Sequence, residues 1–332
     1  MKRFWIWFVL VWLAAVKNLS AADVTVDAVV KVQHFLQYTA GTPVQPSTNG
    51  FSFQAFVLAS TNDVVTGAVV TLPNISTRIL TNESPVDWRF EEKFDSAAAM
   101  DAAYPHISFS QYYTYQMQMQ TVNDGPRANN CSYAPSILGL GIYPATPQIS
   151  NWTAAQQIDH TRAFTLQWNN LGNNANDVVQ LLVEQNVTNV YYTSPKPFTT
   201  NALTGASTSV TIPGYSLPPG TDLTAHLLIV HVAGIPDTNN YAAGVAALGK
   251  ETTFPVATRP APASPSLTLV SRTNNQTRLL LTGETNRSHQ IQATVDWTNW
   301  QTLITTNPTS GTFSFNDVTN LTRRYYRGRV GD

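Results

Sequence analysis

Sulfur is nearly absent from this chain. Among 332 residues Cys131 is the single cysteine, so no disulfide can form within one molecule, and neither a disulfide scaffold nor a cysteine-based zinc site is available. Charge is scarce too: only 12% of the residues are Asp, Glu, Lys or Arg, whereas Thr, Asn, Ser, Gln, Val and Ala are plentiful, the composition of half-exposed strands and the loops between them. Basic residues are not in excess. The formal charge is −1, and it becomes −4 when residues 1–22, with Lys2, Arg3, Lys17 and no acid, are set aside. A chain-wide footprint for nucleic acid or anionic lipid is thereby excluded. No Gly-x-Ser-x-Gly elbow, phosphate-cradling glycine loop or His-Glu-x-x-His helix occurs, so the motifs imply neither a cofactor nor a metal.

The one long apolar run, residues 4–16, follows Lys2-Arg3 and precedes Ser20-Ala21-Ala22, which is the layout of a signal peptide. A membrane-spanning helix needs about 20 apolar residues, and Lys17 interrupts this run first. Residues 1–22 are therefore expected to be cleaved before Asp23, leaving an exported chain without a membrane span, located outside the cell, on its surface or in a periplasm. Exported domains of this size without disulfides fit a bacterial envelope best.

The remaining chain exceeds what one core usually organises, since domains cluster near roughly 100 to 150 residues. Two proline-marked breaks divide it, Tyr143-Pro144-Ala145-Thr146-Pro147 and Arg259-Pro260-Ala261-Pro262-Ala263-Ser264-Pro265, the second suited to an extended spacer. The expected modules are 23–145, 146–257 and 267–332, with a Pro/Ala linker at 258–266. All three read as mainly β: tandem β-sandwich modules, the first with one short helix packed on a sheet. In the first, Val24, Val26, Ala28, Val30, Val32, Leu36 and Tyr38 share one face of a long strand, Phe51, Phe53, Ala55 and Val57 repeat the period of two, residues 64–72 form another strand, and Tyr113, Tyr115, Met117 and Met119 alternate with glutamines. A helix is expected over 96–104, capped by Asp95 and stopped by Pro105.

In the second module Phe164-Thr165-Leu166-Gln167-Trp168 resembles the second strand of a fibronectin type III domain with its core Trp, and Leu217-Pro218-Pro219-Gly220-Thr221-Asp222-Leu223 resembles the turn into that family's sixth strand. Leu223 stands where the family usually has the Tyr of its tyrosine corner. The third module resembles the small β module found at the ends of many large exported bacterial proteins: His289-Gln290-Ile291-Gln292-Ala293, Trp297, Trp300 and Tyr325-Tyr326-Arg327, with Asp317 after Phe315, occupy that module's pattern positions, His289 replacing an aromatic. The resemblance implies architecture and export and carries no assigned chemistry.

Candidate chemistry is sparse. His226 and His231 lie an odd number of residues apart, which on a regular strand sends them to opposite faces, and His34, His231 and His289 sit on apolar faces where a hydrogen-bonded core histidine is the commoner case. Glycoside hydrolysis requires two carboxylates about 5 to 10 Å apart; Glu91, Glu92 and Asp95 are the candidates, against the plainer reading of a solvated acidic turn. Asn169, Asn170, Asn173, Asn174, Asn176 and Asp177 cluster between strands, but one carboxylate is too few for a good calcium loop. Trp88, Tyr104, Tyr112, Tyr113 and Tyr115 are the ligand-binding candidates, because sugar C–H faces stack on aromatic rings. Arg323, Arg324, Arg327 and Arg329 read as a solvated strand edge. The resulting expectation is a secreted, non-catalytic modular protein that binds an extracellular polysaccharide, another polymer or a cell-envelope partner. The alternatives are an extracellular hydrolase with its site in residues 23–145, and a structural envelope component.

Overall fold

Alternation with a period of two dominates the chain, and the computed structural model turns it into strands. Described are residues 22–135, 142–172, 174, 177–186, 189–195, 201–234, 243–261, 263–273, 275–319, 321 and 323–331; the expected signal peptide lies outside them except for Ala22, as do Asn173 and Asn176 of the Asn cluster and Pro262 of the linker. The contacts group the chain into two units, Met1–Arg259 and Pro260–Asp332. The protein is all-β, with two short helices among the described residues.

The first unit opens with β1 (Val24–Leu36), β2 (Phe51–Ala59), β3 (Val65–Thr71), β4 (Thr77–Ile79), β5 (Thr81–Ser84) and β6 (Asp87–Phe94). Helix α1 (Ala97–Ala103), β7 (Tyr113–Thr121) and β8 (Gly125–Tyr133) follow. It continues with α2 (Trp152–Ala155), β9 (Phe164–Gln167), β10 (Val178–Asn186), β11 (Asn189–Thr193), β12 (Ser209–Ile212), β13 (Asp222–Val232) and β14 (Ala243–Ala257). Its largest sheet has the order β11-β10-β13-β14-β1-β2-β6-β5. Residues from both sides of the 145/146 break are thus neighbours in one sheet: β1 runs parallel to β14 from Val26↔Ala243 to Leu36↔Thr253. The contacts do not separate 23–145 from 146–257.

Because β1 is central, both of its faces are buried. Val26, Ala28, Val30 and Val32 join Phe56, Leu58, Val230, Val245 and Ala247 in one cluster. The opposite face, on which alternation alone would place water, packs Val29 with Phe53, Ala55 and Val57 against Ala68, Val70, Met117 and Met119 of a second sheet, β4-β3-β7-β8. Each fully buried Val or Phe contributes on the order of 1.5–3 kcal/mol. Asp27 and Lys31 lie on this inner face and are buried as well, which requires partners. Asp27 accepts a 2.7 Å bond from the Asn129 amide. The Lys31 amine meets Asp101, donates to the Tyr104 carbonyl at 2.7 Å and lies 2.8 Å from His106 Nδ1. Burial, opposed by Asp101, lowers the Lys31 pKa to about 8. Cys131, on β8, is buried with its thiol 3.4 Å from Asp27 Oδ2; desolvation first, and Asp27 next, raise its pKa well above the ordinary value.

Two details differ from expectation. The α1 cap is Ser96, whose hydroxyl accepts from the Ala99 amide at 3.2 Å, while Asp95 accepts from the Asn49 amide at 2.7 Å; both residue types cap well, and the loop carrying Asn49 takes the aspartate. Arg324 does not belong to an exposed arginine row but pairs with Asp317 at 2.9 Å.

Over the other end of the large sheet, α2 and the two-stranded sheet β12-β9 close a separate core holding Leu166, Trp168, Leu181, Leu227, Phe254 and Val256. Trp168 is buried and donates its indole N–H to the Ser207 carbonyl at 2.7 Å. The second unit has six strands: β15 (Ser266–Thr273), β16 (Gln276–Thr282), β17 (His289–Thr294), β18 (Gln301–Thr306), β19 (Thr312–Val318) and β20 (Tyr325–Val330). They form sheets β15-β16-β19 and β18-β17-β20, which share a small core of Leu279, Leu281, Ile291 and flanking aromatics.

Strand β8 crosses the start of β14 so closely that a Cβ on Gly244 would stand 2.4 Å from the Asn130 carbonyl. Gly244→Ala is expected to destabilise the first unit by about 1–3 kcal/mol. Gly67→Ala, whose new methyl would meet its nearest atom at 3.9 Å, should leave the urea midpoint nearly unchanged. A fragment of residues 23–145, which lacks β14, is expected to show no cooperative melting, whereas 23–259 melts cooperatively.

Candidate functional site

The face of the large sheet that is apolar from Val26 to Val32 turns polar two residues later. The β1–β14 register sets His34 opposite Glu251, and Glu251 receives an imidazole from each side: His34 Nδ1 lies 2.7 Å from Oε2 and His226 Nδ1 2.8 Å from Oε1. The row extends to Glu184 on β10, 3.6 Å from His226 Nε2, and to Ser52 on β2, 2.9 Å from His34 Nε2. Five adjacent strands thus present one line of hydrogen-bonding groups, of which Ser52, Glu184, His226 and Glu251 are buried. Burial works against charge on Glu251, but the bonds from His226 and His34 outweigh it and hold the carboxyl well below its usual range. Burial likewise opposes the His226 cation, and the bonds to Glu184 and Glu251 outweigh it and raise its pKa.

Beside this row lies a small cleft, open to solvent and lined by His34, Gln54, Phe56, Arg89, Glu91 and Glu251. Glu91 accepts from the Gln54 amide at 3.2 Å and lies 3.9 Å from the Lys93 amine. Glu92 points the other way, bonded to the Tyr104 hydroxyl and 4.0 Å from Arg78. Asp95 sits in the loop contact with Asn49. The three candidate carboxylates therefore occupy three separate settings. Glu251, whose value escaped the sequence pattern, has both oxygens occupied and is held ionised, which suits a brace better than a proton donor.

The five aromatic candidates do not make one exposed surface. Tyr104 and Tyr115 are fully buried, with the Tyr104 ring stacked on Phe53 at 3.9 Å between centroids. Trp88 and Tyr113 pack on the first core, and Tyr112 alone of the five is exposed. The cause is strand parity: Trp88 pairs with Val57 and shares its face, and Tyr113 and Tyr115 share the face of Met117 and Met119. Five of the six histidine side chains have polar partners, whereas that of His160 stands edge-on to Tyr215 at 5.9 Å between ring centres. His231 and His226 turn to opposite faces of β13, His231 Nδ1 lying 2.6 Å from Asp177, and His289 Nε2 is 3.0 Å from the Glu284 carbonyl. Among the described residues no group of three or more His, Cys, Asp or Glu could hold a metal ion.

An exposed aromatic group does occur, in the second unit. Trp297 is 60% exposed and has φ of 66°, a left-handed conformation that costs a non-glycine residue on the order of 1–3 kcal/mol. Its turn is fixed by Asp296, whose carboxylate accepts from the Thr294 hydroxyl, the Thr298 and Asn299 backbone amides and the Asn299 side chain at 2.7–3.0 Å. These bonds, the Asn299 amide first, keep that carboxyl ionised far below the usual range. The Tyr325 ring lies 4.0 Å from Trp297, and Trp300 stands edge-on to it at 6.1 Å. Only the strained backbone of its turn and its exposure reveal Trp297; in the sequence it is one pattern position among several.

No protein-family profile matches the chain, and no curated protein matches it. Among solved structures, the chicken CNTN1 FN1–FN3 domains are similar at 10% identity and a TM-score of 0.25, over 84% of this chain and 88% of that one. A tetra-tandem repeat from the extending region of a large adhesion protein is similar at 14% and 0.18, over 92% and 71%. The BSP domain of a biofilm associated protein is similar at 10% and 0.20, over 93% and 63%. Scores at this level do not equate the folds. No described helix is long and apolar enough to cross a membrane.

The His–Glu row gives a pH dependence whose sign follows from the shifts. The raised His226 value contributes stability that is complete below its ordinary 6.5 and is lost as pH rises through the folded value; the lowered Glu251 value contributes above its ordinary 4.5 and is lost only in stronger acid. The row's contribution should therefore peak between pH 4.5 and 6.5. Glu251→Gln is expected to lower stability by about 3 kcal/mol and to flatten the decline above pH 6.5, as read from urea midpoints across pH.

Proposed function

We propose that the protein is a secreted, non-catalytic modular binder of the adhesion type, which holds an extracellular polysaccharide or a cell-surface partner. The observation that carries this reading is Trp297: an indole kept in solvent by a strained turn that five bonds involving Asp296 and Thr294 fix in place. Strain of that kind is retained where a side chain must be displayed, and a large ring face offered to water suits a flat, weakly polar ligand face such as that of a sugar. The titratable row of the first unit supports the non-catalytic half of the reading, since its central carboxylate has both oxygens occupied.

In this reading the first unit is a rigid body and the second presents the contact. Residues 23–332 should retard in affinity electrophoresis through at least one extracellular polysaccharide or co-sediment with an envelope fraction. Trp297→Ala, at an exposed position, should weaken that binding about tenfold, equivalent to roughly 1.4 kcal/mol, while leaving the melting temperature unchanged or raised. Failure of residues 23–332 to bind any polysaccharide or envelope fraction would overturn the proposal.

A further inference from the structure

We infer that the outer face of the sheet β18-β17-β20 takes an acidic glycan, a polymer of pyranose rings bearing carboxylates, and this rests on the binding reading above. The register sets Gln290, Gln292 and Thr294 beside Arg329, Arg327 and Tyr325, and Thr302 beside Gln292. The neighbouring positions Ile291 and Tyr326 belong to the core, so this row of polar residues lies on the side away from it, where Gln292 and Thr294 are covered by their neighbours and Gln290 is half-buried. Three features of the face point to a ligand that is both flat and negatively charged.

The first is the alternation of cations and rings. The Arg327 guanidinium lies 4.1 Å from the centre of Trp300 and that of Arg323 4.9 Å from the centre of Tyr325, while Tyr325 leans on Trp297. A guanidinium held against a ring is presented in a fixed plane and can bind a carboxylate through two parallel N–H groups. The second is charge distribution. Residues 260–332 contain seven arginines, no lysine and four acids, a net charge of +3, whereas residues 23–259 contain nine basic and sixteen acidic residues, a net charge of −7. An anion is therefore drawn toward the second unit and repelled by the first. The third is that acids of the second unit are already engaged: Asp317 with Arg324 at 2.9 Å, Glu284 with Arg287 at 3.6 Å, and Asp296 within its own turn. Among the described residues no carboxylate pairs with Arg323 or Arg327.

Single-stranded nucleic acid also combines flat rings with negative charge, but the geometry favours the sugar. Arg327 covers one face of Trp300, Tyr325 covers Trp297, and the two indoles stand at 76°. That arrangement offers single ring faces beside a polar network in which Arg327 donates to Gln292 at 2.9 Å and Gln292 to Thr302 at 3.0 Å, and no parallel slot for successive bases.

The test is binding of residues 23–332 to polygalacturonate, to the same polymer after methyl esterification, to neutral soluble starch and to single-stranded DNA, each at low and high salt. Polygalacturonate should bind at least about tenfold more tightly than its methyl ester, with affinity falling as salt rises. Arg323→Gln should weaken it several-fold at an unchanged melting temperature, and Trp297→Ala should weaken it further. Equal binding of the ester or of starch would overturn the acidic-glycan inference while leaving the binding reading intact. Tighter binding of DNA would overturn it in favour of nucleic acid. No binding to any polymer here, with retention on another polysaccharide or an envelope fraction, would overturn the inference alone, and no binding to anything would overturn both. Because esterification alters the ligand and leaves the protein untouched, a variant that fails to fold does not affect the outcome.

Discussion

The parallel hydrogen-bonded seam between β1 and β14 is the constraint on which the first unit depends. It joins the first strand of the unit to one more than 200 residues later, as the 217-residue separation of His34 and Glu251 shows. Parallel neighbours require a long crossover between them, and here nearly the whole unit is that crossover. Once the seam is formed, β2 and β6 extend the sheet on one side and β13, β10 and β11 on the other. The two-sided burial of β1, the convergence of two histidines on Glu251 and the contact of β8 with Gly244 are all consequences of that pairing. Non-local pairing of this kind is also slow to find, because loop closure precedes the stabilising contacts.

Burial on both sides of one strand explains where sequence reasoning succeeded and where it failed. Val26, Ala28, Val30 and Val32 announce a buried face, and they have one. Asp27 and Lys31 lie between them and read as the wet face; they are buried because Asn129, Asp101, Tyr104 and His106 arrive from elsewhere in the chain. A local period of two contains no information about such partners. The same limit applies to Tyr104 and Tyr115, whose ring chemistry suits sugar binding but whose positions place them in a core, and to Asp95 and Ser96, two competent caps of which Asn49 decides the use.

Elements with local logic were legible. The six strands of the last module, the buried indole of Trp168 and the short helix before Pro105 each follow from neighbouring residues, so each appears in the structure with small shifts of boundary. The break at residues 143–147 illustrates the reverse. Prolines mark a break there, yet strands from before and after it belong to one sheet, and the division of contacts falls at 259/260 instead. Sequence also understated the C-terminal face, since neither the left-handed turn at Trp297 nor the pairing of Arg324 with Asp317, which separates one arginine from its neighbours, shows in spacing.

The lone thiol illustrates what deep burial does to reactivity. Cys131 is enclosed beside Asp27, and both desolvation and the adjacent carboxylate disfavour its thiolate, the form that attacks disulfides and oxidants. The folded polypeptide thus offers disulfides and oxidants no accessible thiolate: even in an oxidising solution, burial shields its one thiol from that of a second copy.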